Sequence, residues 1–254
     1  MRMTLGETRT AIRERHAFVA PDSAERTTLA NWSDTDLVFL IAPAMGAHFT
    51  QFYAEMRAGS IGEPPLDGIE RFFFLLEGKV SLKTGEGETV MEPEGYAYLP
   101  AGHGHRIEAN GPARLVVYER AFMPLDGRNA PYPVIGNAKE IDAVSFRDDP
   151  GIKLKKLMPE DQSFDFEVNT MDFAPGAGLH HVETHYMEHG LTMLNGGGIY
   201  RLDDSWYPVE AGDVIWMGPY CPQWFGAIGK ENGRYLLYKD YNRDPLARGL
   251  DPRS

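Results

Sequence analysis

The chain of 254 residues is long enough for two domains of ordinary size with a substantial buried core. Its composition, 43% hydrophobic and 24% charged, is typical of a globular protein and argues against wholesale disorder. The formal net charge of -12, without any basic cluster, argues against nucleic acid and anionic membrane surfaces as partners.

The cysteine content and the N-terminal residues bear on the compartment. Cys221 is the only cysteine, so an internal disulfide is excluded and a reducing compartment is favoured. Residues 1–15 lack the apolar core of a signal peptide, and the longest apolar run, residues 37–47, is too short to span a bilayer. We therefore expect a soluble, cytoplasmic protein.

The first half of the chain changes character at residue 37. Residues 1–36 are polar and form an N-terminal arm, which we expect to pack across a neighbouring domain. After them come short apolar runs, rich in aromatic and β-branched residues and separated by glycine and proline, at 37–42, 49–56, 72–76, 89–91, 96–99 and 113–118. Such runs predict an antiparallel sandwich or barrel, here over residues 37–123.

The second half shows the same texture after a break. Residues 124–160 are rich in proline and acidic residues and are predicted to be a linker. Further strands are then predicted at 164–168, 192–194, 198–202, 206–209, 214–217 and 234–238. They assign a second barrel to residues 161–254.

The two halves also repeat at a constant offset of 118 residues. Gly78 aligns with Gly196, and twenty-seven residues after each glycine come His105 and Gln223. Self-similarity of this kind predicts that one fold is used twice.

A candidate metal site lies in residues 179–190, which contain four of the eight histidines. Glu183, His185 and His189 share the parity that, on an extended strand, directs side chains to one face. With Gln223 they supply two imidazoles, a carboxylate and an amide oxygen, a set suited to a divalent ion with positions left for substrate or water. The other two histidines do not fit this spacing and are predicted to lie behind the ligands or at the surface.

This spacing resembles the metal-binding motifs of the cupin superfamily, with the ligand types permuted. The resemblance implies an all-β bicupin, with two tandem cupin barrels of the double-stranded β-helix, or jelly-roll, type. In the first barrel, the same offset places Pro65, Asp67 and Arg71 at ligand positions and leaves only His105 as a plausible ligand. Since neither proline nor arginine can coordinate a metal ion, that barrel is predicted to have lost its metal site.

A closer resemblance is to one bicupin family, (S)-ureidoglycine aminohydrolase. It is clearest in residues 183–190, 198–202, 206–209, 212–217 and 234–240. The resemblance implies a homo-oligomeric enzyme that hydrolyses a small ureide, (S)-ureidoglycine, to (S)-ureidoglycolate and ammonia, using one Mn²⁺ per chain in the C-terminal barrel.

The resemblance also implies roles for individual residues. The implied metal ligands are Glu183, His185, His189 and Gln223. The implied substrate-binding residues are Glu183, Gln223, Tyr235 and Lys239, of which Glu183, Tyr235 and Lys239 are the implied catalytic residues. Without the resemblance, Lys239 is more simply explained as a strand-end lysine that reaches solvent, and Tyr235 fits barrel packing equally well.

Two other functions compete with the aminohydrolase. One is another metal-dependent bicupin enzyme, such as a dioxygenase or a decarboxylase, which Gln223 and the lost first site argue against. The other is a non-catalytic ligand-binding bicupin, which the complete set of four ligands argues against.

Overall fold

The structure, a computed structural model, describes residues 8–23, 25–244 and 246. The prediction of an all-β fold is confirmed, because the described residues form mainly strands and only short 3-10 helices at Pro21–Ser23, Pro43–Met45 and Ala138–Glu140. None of the helices in these described residues is long and apolar enough to cross a membrane.

The strands are numbered in chain order. In the first half they are β1 (Ala11–Ile12), β2 (His16–Val19), β3 (Arg26–Thr27), β4 (Trp32–Ile41), β5 (Thr50–Gly62), β6 (Ile69–Glu77), β7 (Val80–Thr84), β8 (Gly87–Met91), β9 (Gly95–Leu99), β10 (His105–Ala109) and β11 (Ala113–Ala121). The rest are β12 (Val134–Asn137), β13 (Val144–Phe146), β14 (Asp149–Lys156), β15 (Phe166–Phe173), β16 (His189–Asn195), β17 (Gly197–Leu202), β18 (Ser205–Glu210), β19 (Val214–Met217), β20 (Gln223–Ala227) and β21 (Gly233–Asp240).

The chain divides into two compact units. The C-terminal unit contains the described residues up to Ser23, the short stretch Ala44–Ala47 and the described residues from Asp142 onward. The N-terminal unit contains the described residues after Ser23 up to Pro43, together with His48–Ile141.

The N-terminal unit is built on one antiparallel sheet. Its strands lie in the order β12-β9-β6-β11-β5-β10-β7-β8, and β4 pairs with β5 while β3 pairs with β4. Alternate residues of β11, such as Leu115 and Val117, face a fully buried apolar core, as the period of two in a strand requires.

The C-terminal unit has two sheets. Eight strands lie in the order β1-β2-β19-β16-β21-β15-β14-β13, and three more in the order β18-β17-β20. The core contains residues of both sheets, including Leu191 and Tyr235 of the first and Tyr200 and Phe225 of the second. The metal and substrate residues predicted from the sequence all belong to this unit.

The predicted N-terminal arm, residues 1–36, is divided between the two units. Strand β2 pairs with β19 in the C-terminal unit, with His16 opposite Met217 and Val19 opposite Val214. Strands β3 and β4 belong to the N-terminal sheet. Residues 1–7 lie outside the described residues. All four residues of β2 are buried, and β2 lies between β1 and β19, so this part of the arm is an inner strand of the sheet instead of a polar extension.

The predicted linker, residues 124–160, is also more structured than its composition suggests. Strand β12 pairs with β9, whereas β13 and β14 form a hairpin at the edge of the eight-stranded sheet. Pro150 is the second residue of β14, near the strand start, where a missing N–H donor is tolerated.

Two glycines support the internal repeat at the level of the backbone. Gly78 and Gly196 have φ of 83° and 62°, in the left-handed region. A Cβ atom would lie 2.2 Å from the Pro112 oxygen at the first and 2.3 Å from the Asn232 oxygen at the second. Both positions therefore require glycine for the same reason, in equivalent places of the two halves.

Candidate metal and substrate site

The segment before β16 is a loop, so the expectation that three ligand residues share one extended strand is wrong. Of those residues, only His189 lies in a strand, at the start of β16. Glu183 instead forms an isolated antiparallel bridge with Gln223, with backbone N–O distances of 2.8 and 2.9 Å. The bridge positions Glu183 and Gln223, and strand β16 positions His189. The alternation of side chains along a single strand is therefore not what brings these residues together.

Three of the four predicted ligands converge. The Nε2 atoms of His185 and His189 are 3.2 Å apart, and the side-chain amide nitrogen of Gln223 is 3.1 Å from Nε2 of His185. A half-turn of the amide presents its oxygen at the same place. Burial lowers the pKa of both imidazoles, and the nearby Lys239 cation contributes to the lowering. Neutral imidazoles with free lone pairs are the form that binds a metal ion.

The fourth predicted ligand, Glu183, faces a cation of the protein. Its Oε1 atom lies 3.0 Å from Nη2 of Arg147, and its side chain is 18% exposed. Accordingly, within the part of the chain that the structure describes, no group of three or more His, Cys, Asp and Glu side chains is close enough to hold a metal ion. Two imidazoles and an amide fit a divalent ion, and the bridge to Gln223 keeps the Glu183 carboxylate at the rim of the same site.

Lys239 is the cross-strand neighbour of His189, because these two residues are paired between β16 and β21. On its other side Lys239 is paired with Glu167 of β15, and the two side chains form an ion pair that is mostly buried. The explanation of Lys239 as a lysine that simply reaches solvent is therefore wrong, because its side chain is only 20% exposed.

Tyr235 lies inside the barrel. Its hydroxyl donates to the sulfur of Met171 at 3.2 Å, and its ring packs against Phe173 and Phe225. Burial raises the pKa of the Tyr235 phenol well above its usual value, and the charges of Tyr200 and Glu183 add to this effect. Tyr235 is thus a permanent hydrogen-bond donor within the electrostatic reach of Glu183.

The N-terminal unit has a different arrangement at the equivalent positions. Arg71 is fully buried, and its guanidinium donates to Nε2 of His105 at 2.9 Å and to the Glu119 carboxylate at 2.7 Å. Burial, with the Arg71 charge, lowers the pKa of His105 to about 4. Asp67 is exposed, and Pro65 lines a surface cavity. The guanidinium of Arg71 thus contacts His105, the only histidine at the equivalent ligand positions of this unit.

Relatives of known name cover nearly the whole chain. A probable (S)-ureidoglycine aminohydrolase from Oryza sativa subsp. japonica is 43% identical over 244 residues, which are 95% of this chain and 78% of the relative. The (S)-ureidoglycine aminohydrolase from Arabidopsis thaliana is 44% identical over 245 residues, which are 95% of this chain and 80% of the relative. The chain belongs to the (S)-ureidoglycine aminohydrolase family. The resemblance noted from its motifs is confirmed, and the chain is a member of a family of hydrolases.

The cupin fold of this family member is supported independently. The cupin domain family matches residues 52–119, in the N-terminal unit. The crystal structure of a putative glyoxylate-induced protein from Pseudomonas aeruginosa superposes with a TM-score of 0.87 at 28% identity, covering 96% of this chain and 94% of that one. The prediction of two tandem cupin barrels is therefore confirmed.

Two residues at the site of this aminohydrolase family member were not identified from the sequence. Arg147 lies in the predicted linker, in a turn without the glycine or asparagine that normally marks a hairpin. Glu167 lies in the predicted strand 164–168, which contains no other predicted site residue, so strand periodicity could not connect it to the site. The available signal for Glu167 was its charge within the predicted strand 164–168, where it lies between the apolar residues Phe166 and Val168.

Proposed function

We propose that this chain hydrolyses (S)-ureidoglycine to (S)-ureidoglycolate and ammonia, with one Mn²⁺ ion held by Glu183, His185, His189 and Gln223. The observation that carries the proposal is the convergence of two neutral imidazoles and an amide beside a lysine, inside the barrel of a member of this family. The named relatives support the substrate.

The reaction replaces an amine with a hydroxyl at one carbon. That carbon carries the amine, the ureido nitrogen, a hydrogen and a carboxylate. The C–N bond to the amine breaks, a C–O bond to water forms, and the water proton goes to the departing amine. Because such a centre loses ammonia readily without a catalyst, the enzyme must control which face of the carbon water attacks.

Chirality requires that the substrate be held at several points. When bound, a divalent ion would supply positive charge for a chelating, anionic substrate. Of the four proposed ligands only Glu183 is anionic, so the site would keep a net positive charge with the ion bound. The substrate carboxylate is then attracted to the site, which fixes the reacting carbon relative to the protein.

Three ionisable side chains divide the remaining work. Lys239 supplies a second positive charge beside His189 and is in position to attract the substrate carboxylate or exchange a proton with the leaving amine. Tyr235 remains protonated at neutral pH, so its hydroxyl can donate a hydrogen bond to the substrate. Glu183 is the carboxylate at the rim of the site and can transfer the proton from water to the amine.

The test is chiral product analysis. (S)-ureidoglycine is generated in place from allantoate by a separate amidohydrolase, and ammonia and both ureidoglycolate enantiomers are followed. We expect protein reloaded with Mn²⁺ to accelerate ammonia release and yield only the S product, while metal-stripped protein matches the uncatalysed racemic background. If both preparations match that background, the proposed substrate is wrong, and oxygen consumption then tests the dioxygenase alternative.

Replacing the rim carboxylate tests the site itself. We expect Glu183→Ala to reduce turnover by at least about a thousandfold, because both a metal ligand and the proton carrier are lost. Glu231→Ala, which removes an exposed carboxylate elsewhere in the same unit, is the matched control and should keep full activity. Near-normal turnover by Glu183→Ala, measured as ammonia release, would show that the site is misassigned.

A further inference from the structure

The turn between β13 and β14 has a backbone conformation that its residues do not favour. The hairpin closes at the pair Phe146 and Asp149, so Arg147 and Asp148 form a two-residue turn. Both have positive φ, 51° and 61°, where glycine and asparagine are the usual residues. Each such residue costs about 1 kcal/mol or more, so contacts with the surrounding structure must hold the turn in this conformation.

The strained turn places Arg147 over the candidate site. Its Nη2 lies 3.0 Å from the Glu183 carboxylate, and its Nη1 lies 3.1 Å from Nε2 of His181. The aromatic ring of Phe146 is 5.2 Å from the guanidinium carbon. Although it makes these contacts, the Arg147 side chain is 47% exposed and therefore accessible to a solute.

The hairpin is also attached to the loop that carries the predicted ligands. Asp149 accepts a hydrogen bond from Nε2 of His180 at 2.9 Å and a second from the backbone N–H of Gly151 at 2.8 Å. These two hydrogen bonds, that of His180 first, lower the pKa of Asp149. The hairpin and residues 180–183 are therefore held together by three contacts, Asp149 to His180 and Arg147 to both His181 and Glu183.

Among the described residues, two cations lie at the site, and Arg147 is the more exposed of them, 47% against 20% for Lys239. Lys239 is paired with Glu167 of the adjacent strand in a mostly buried ion pair that metal binding would leave intact. Arg147 instead shares Glu183 with any metal ion that this carboxylate would bind. A guanidinium released from Glu183 has two parallel N–H groups, which match a carboxylate.

We propose that Arg147 recognises the carboxylate of the substrate at the rim of the site, and that Glu183 holds this guanidinium in place until a divalent cation takes the Glu183 carboxylate. The inference rests on the proposed function, because it assigns a residue to bind the anionic group of that substrate. It differs from a purely structural role, in which Arg147 would serve only to hold Glu183 in place.

The experiment compares two unreactive probes with Mn²⁺-loaded protein by calorimetry. Hydantoate has the ureido group and the carboxylate of ureidoglycine without its amine, and hydantoamide replaces that carboxylate with a neutral amide. We expect Arg147→Gln to weaken hydantoate binding about tenfold to a hundredfold, the range for a charge-assisted bidentate contact, and to leave hydantoamide binding unchanged. Arg147→Lys, which keeps the charge but not the fork, should lie between wild type and Arg147→Gln.

A matched control removes another cation from the same hairpin. Lys153 pairs with Ser145 and donates to its hydroxyl at 2.9 Å, so Lys153→Gln makes the same change in net charge without touching the site. We expect this variant to bind both probes as wild type does. Equal weakening in Lys153→Gln and Arg147→Gln would overturn the inference, because it would indicate only a general electrostatic effect.

A second readout uses the metal alone. Titration of Mn²⁺ into metal-free protein should give Arg147→Gln the wild-type affinity or one up to about fivefold tighter, since an ion pair with a half-exposed guanidinium competes weakly for Glu183. Loss of Mn²⁺ binding in Arg147→Gln would mean that Arg147 is structural. If wild type releases no ammonia from ureidoglycine yet shows the Arg147-dependent preference for hydantoate, the proposed function fails while the anion site stands.

Discussion

Lys239 has two electrostatic roles, one in the sheet and one at the candidate site. The ammonium is paired with Glu167 in the sheet and lies opposite His189, so it stabilises a buried carboxylate and also sets the charge beside the candidate metal site. Removing the lysine alone would leave Glu167 unpaired and cost about 3 kcal/mol in folding free energy. A test of function at Lys239 therefore needs both partners changed.

The double variant Lys239→Met with Glu167→Gln separates the two roles. It removes the pair without leaving a charge, so we expect native stability and wild-type metal content but a loss of kcat/KM of about a hundredfold, because the cation is missing from substrate binding. Glu167→Gln alone keeps the ammonium and should lose much less. Metal content, measured by atomic absorption, decides the matter: if it falls in step with activity, Lys239 supports the metal ligands and not the substrate.

His105 in the N-terminal unit makes stability depend on pH. Its pKa is lowered to about 4 in the folded protein, first by burial and then by Arg71, whereas the unfolded chain takes up this proton near pH 6.5. The His105 contribution to stability is therefore full above pH 6.5 and is lost progressively as the pH falls towards 4, by an amount on the order of 2–3 kcal/mol.

Urea unfolding at a series of pH values measures this effect. We expect His105→Gln, whose amide oxygen can still accept from Arg71, to show a smaller loss of stability between pH 6.5 and 4 than wild type. His16, His185 and His189 also have lowered pKa values and remain in both proteins, so they cancel in the comparison. Identical pH dependence in the two proteins would contradict the assignment.

At the scale of elements, the equivalent glycines before β17 and in the β6–β7 turn give a further prediction. Gly196→Ala should cost at least about 2 kcal/mol more than Gly176→Ala in the same unit. Both have positive φ, but a Cβ at Gly176 meets nothing within 4 Å, whereas at Gly196 it meets a backbone oxygen at 2.3 Å. Chemical denaturation of both variants, each compared with wild type, gives the difference, and similar costs would mean that the backbone at Gly196 moves easily.

Most strands could be predicted from the sequence because their apolar runs are short and separated by turn residues. The runs at 72–76, 96–99, 113–118 and 214–217 all lie within observed strands. The β13–β14 hairpin was missed because its two-residue turn, Arg147 and Asp148, lacks the glycine or asparagine that normally marks such a turn. Burial of the N-terminal strand β2 was missed since its partner lies about two hundred residues away in the chain.

In the candidate site, too, residues related by local spacing could be predicted from the sequence, whereas a contact between distant residues could not. Spacing in the sequence indicated His185, His189 and Gln223, and the structure brings these three together. Glu183 is near them through a backbone bridge, but its carboxylate faces Arg147, a contact between residues that no periodicity relates. The assignment of these residues as metal ligands stays a prediction, as do the homo-oligomer and the cytoplasmic location.

At the scale of the whole molecule, one fold occurs twice, with different side chains at the equivalent buried positions. The N-terminal unit has the guanidinium of Arg71 against His105 and Glu119, a cation that cannot be exchanged. The C-terminal unit has two neutral histidines and an amide in contact with one another. Only the second arrangement can gain stability from an added cation, because binding to the folded state alone stabilises it in proportion to the logarithm of ligand concentration.

Hydrogen exchange with and without Mn²⁺ tests this difference in a single experiment on the full chain. At a Mn²⁺ concentration about a hundredfold above its dissociation constant, we expect up to about 2.7 kcal/mol of added protection in β16, β20 and β21. Strands β6, β10 and β11 of the N-terminal unit should not change, since Arg71 already satisfies His105. The variant His185→Ala should abolish the added protection in the C-terminal strands. Protection that appears in β10 instead would place the exchangeable cation at His105, and the proposed loss of the first metal site would be wrong.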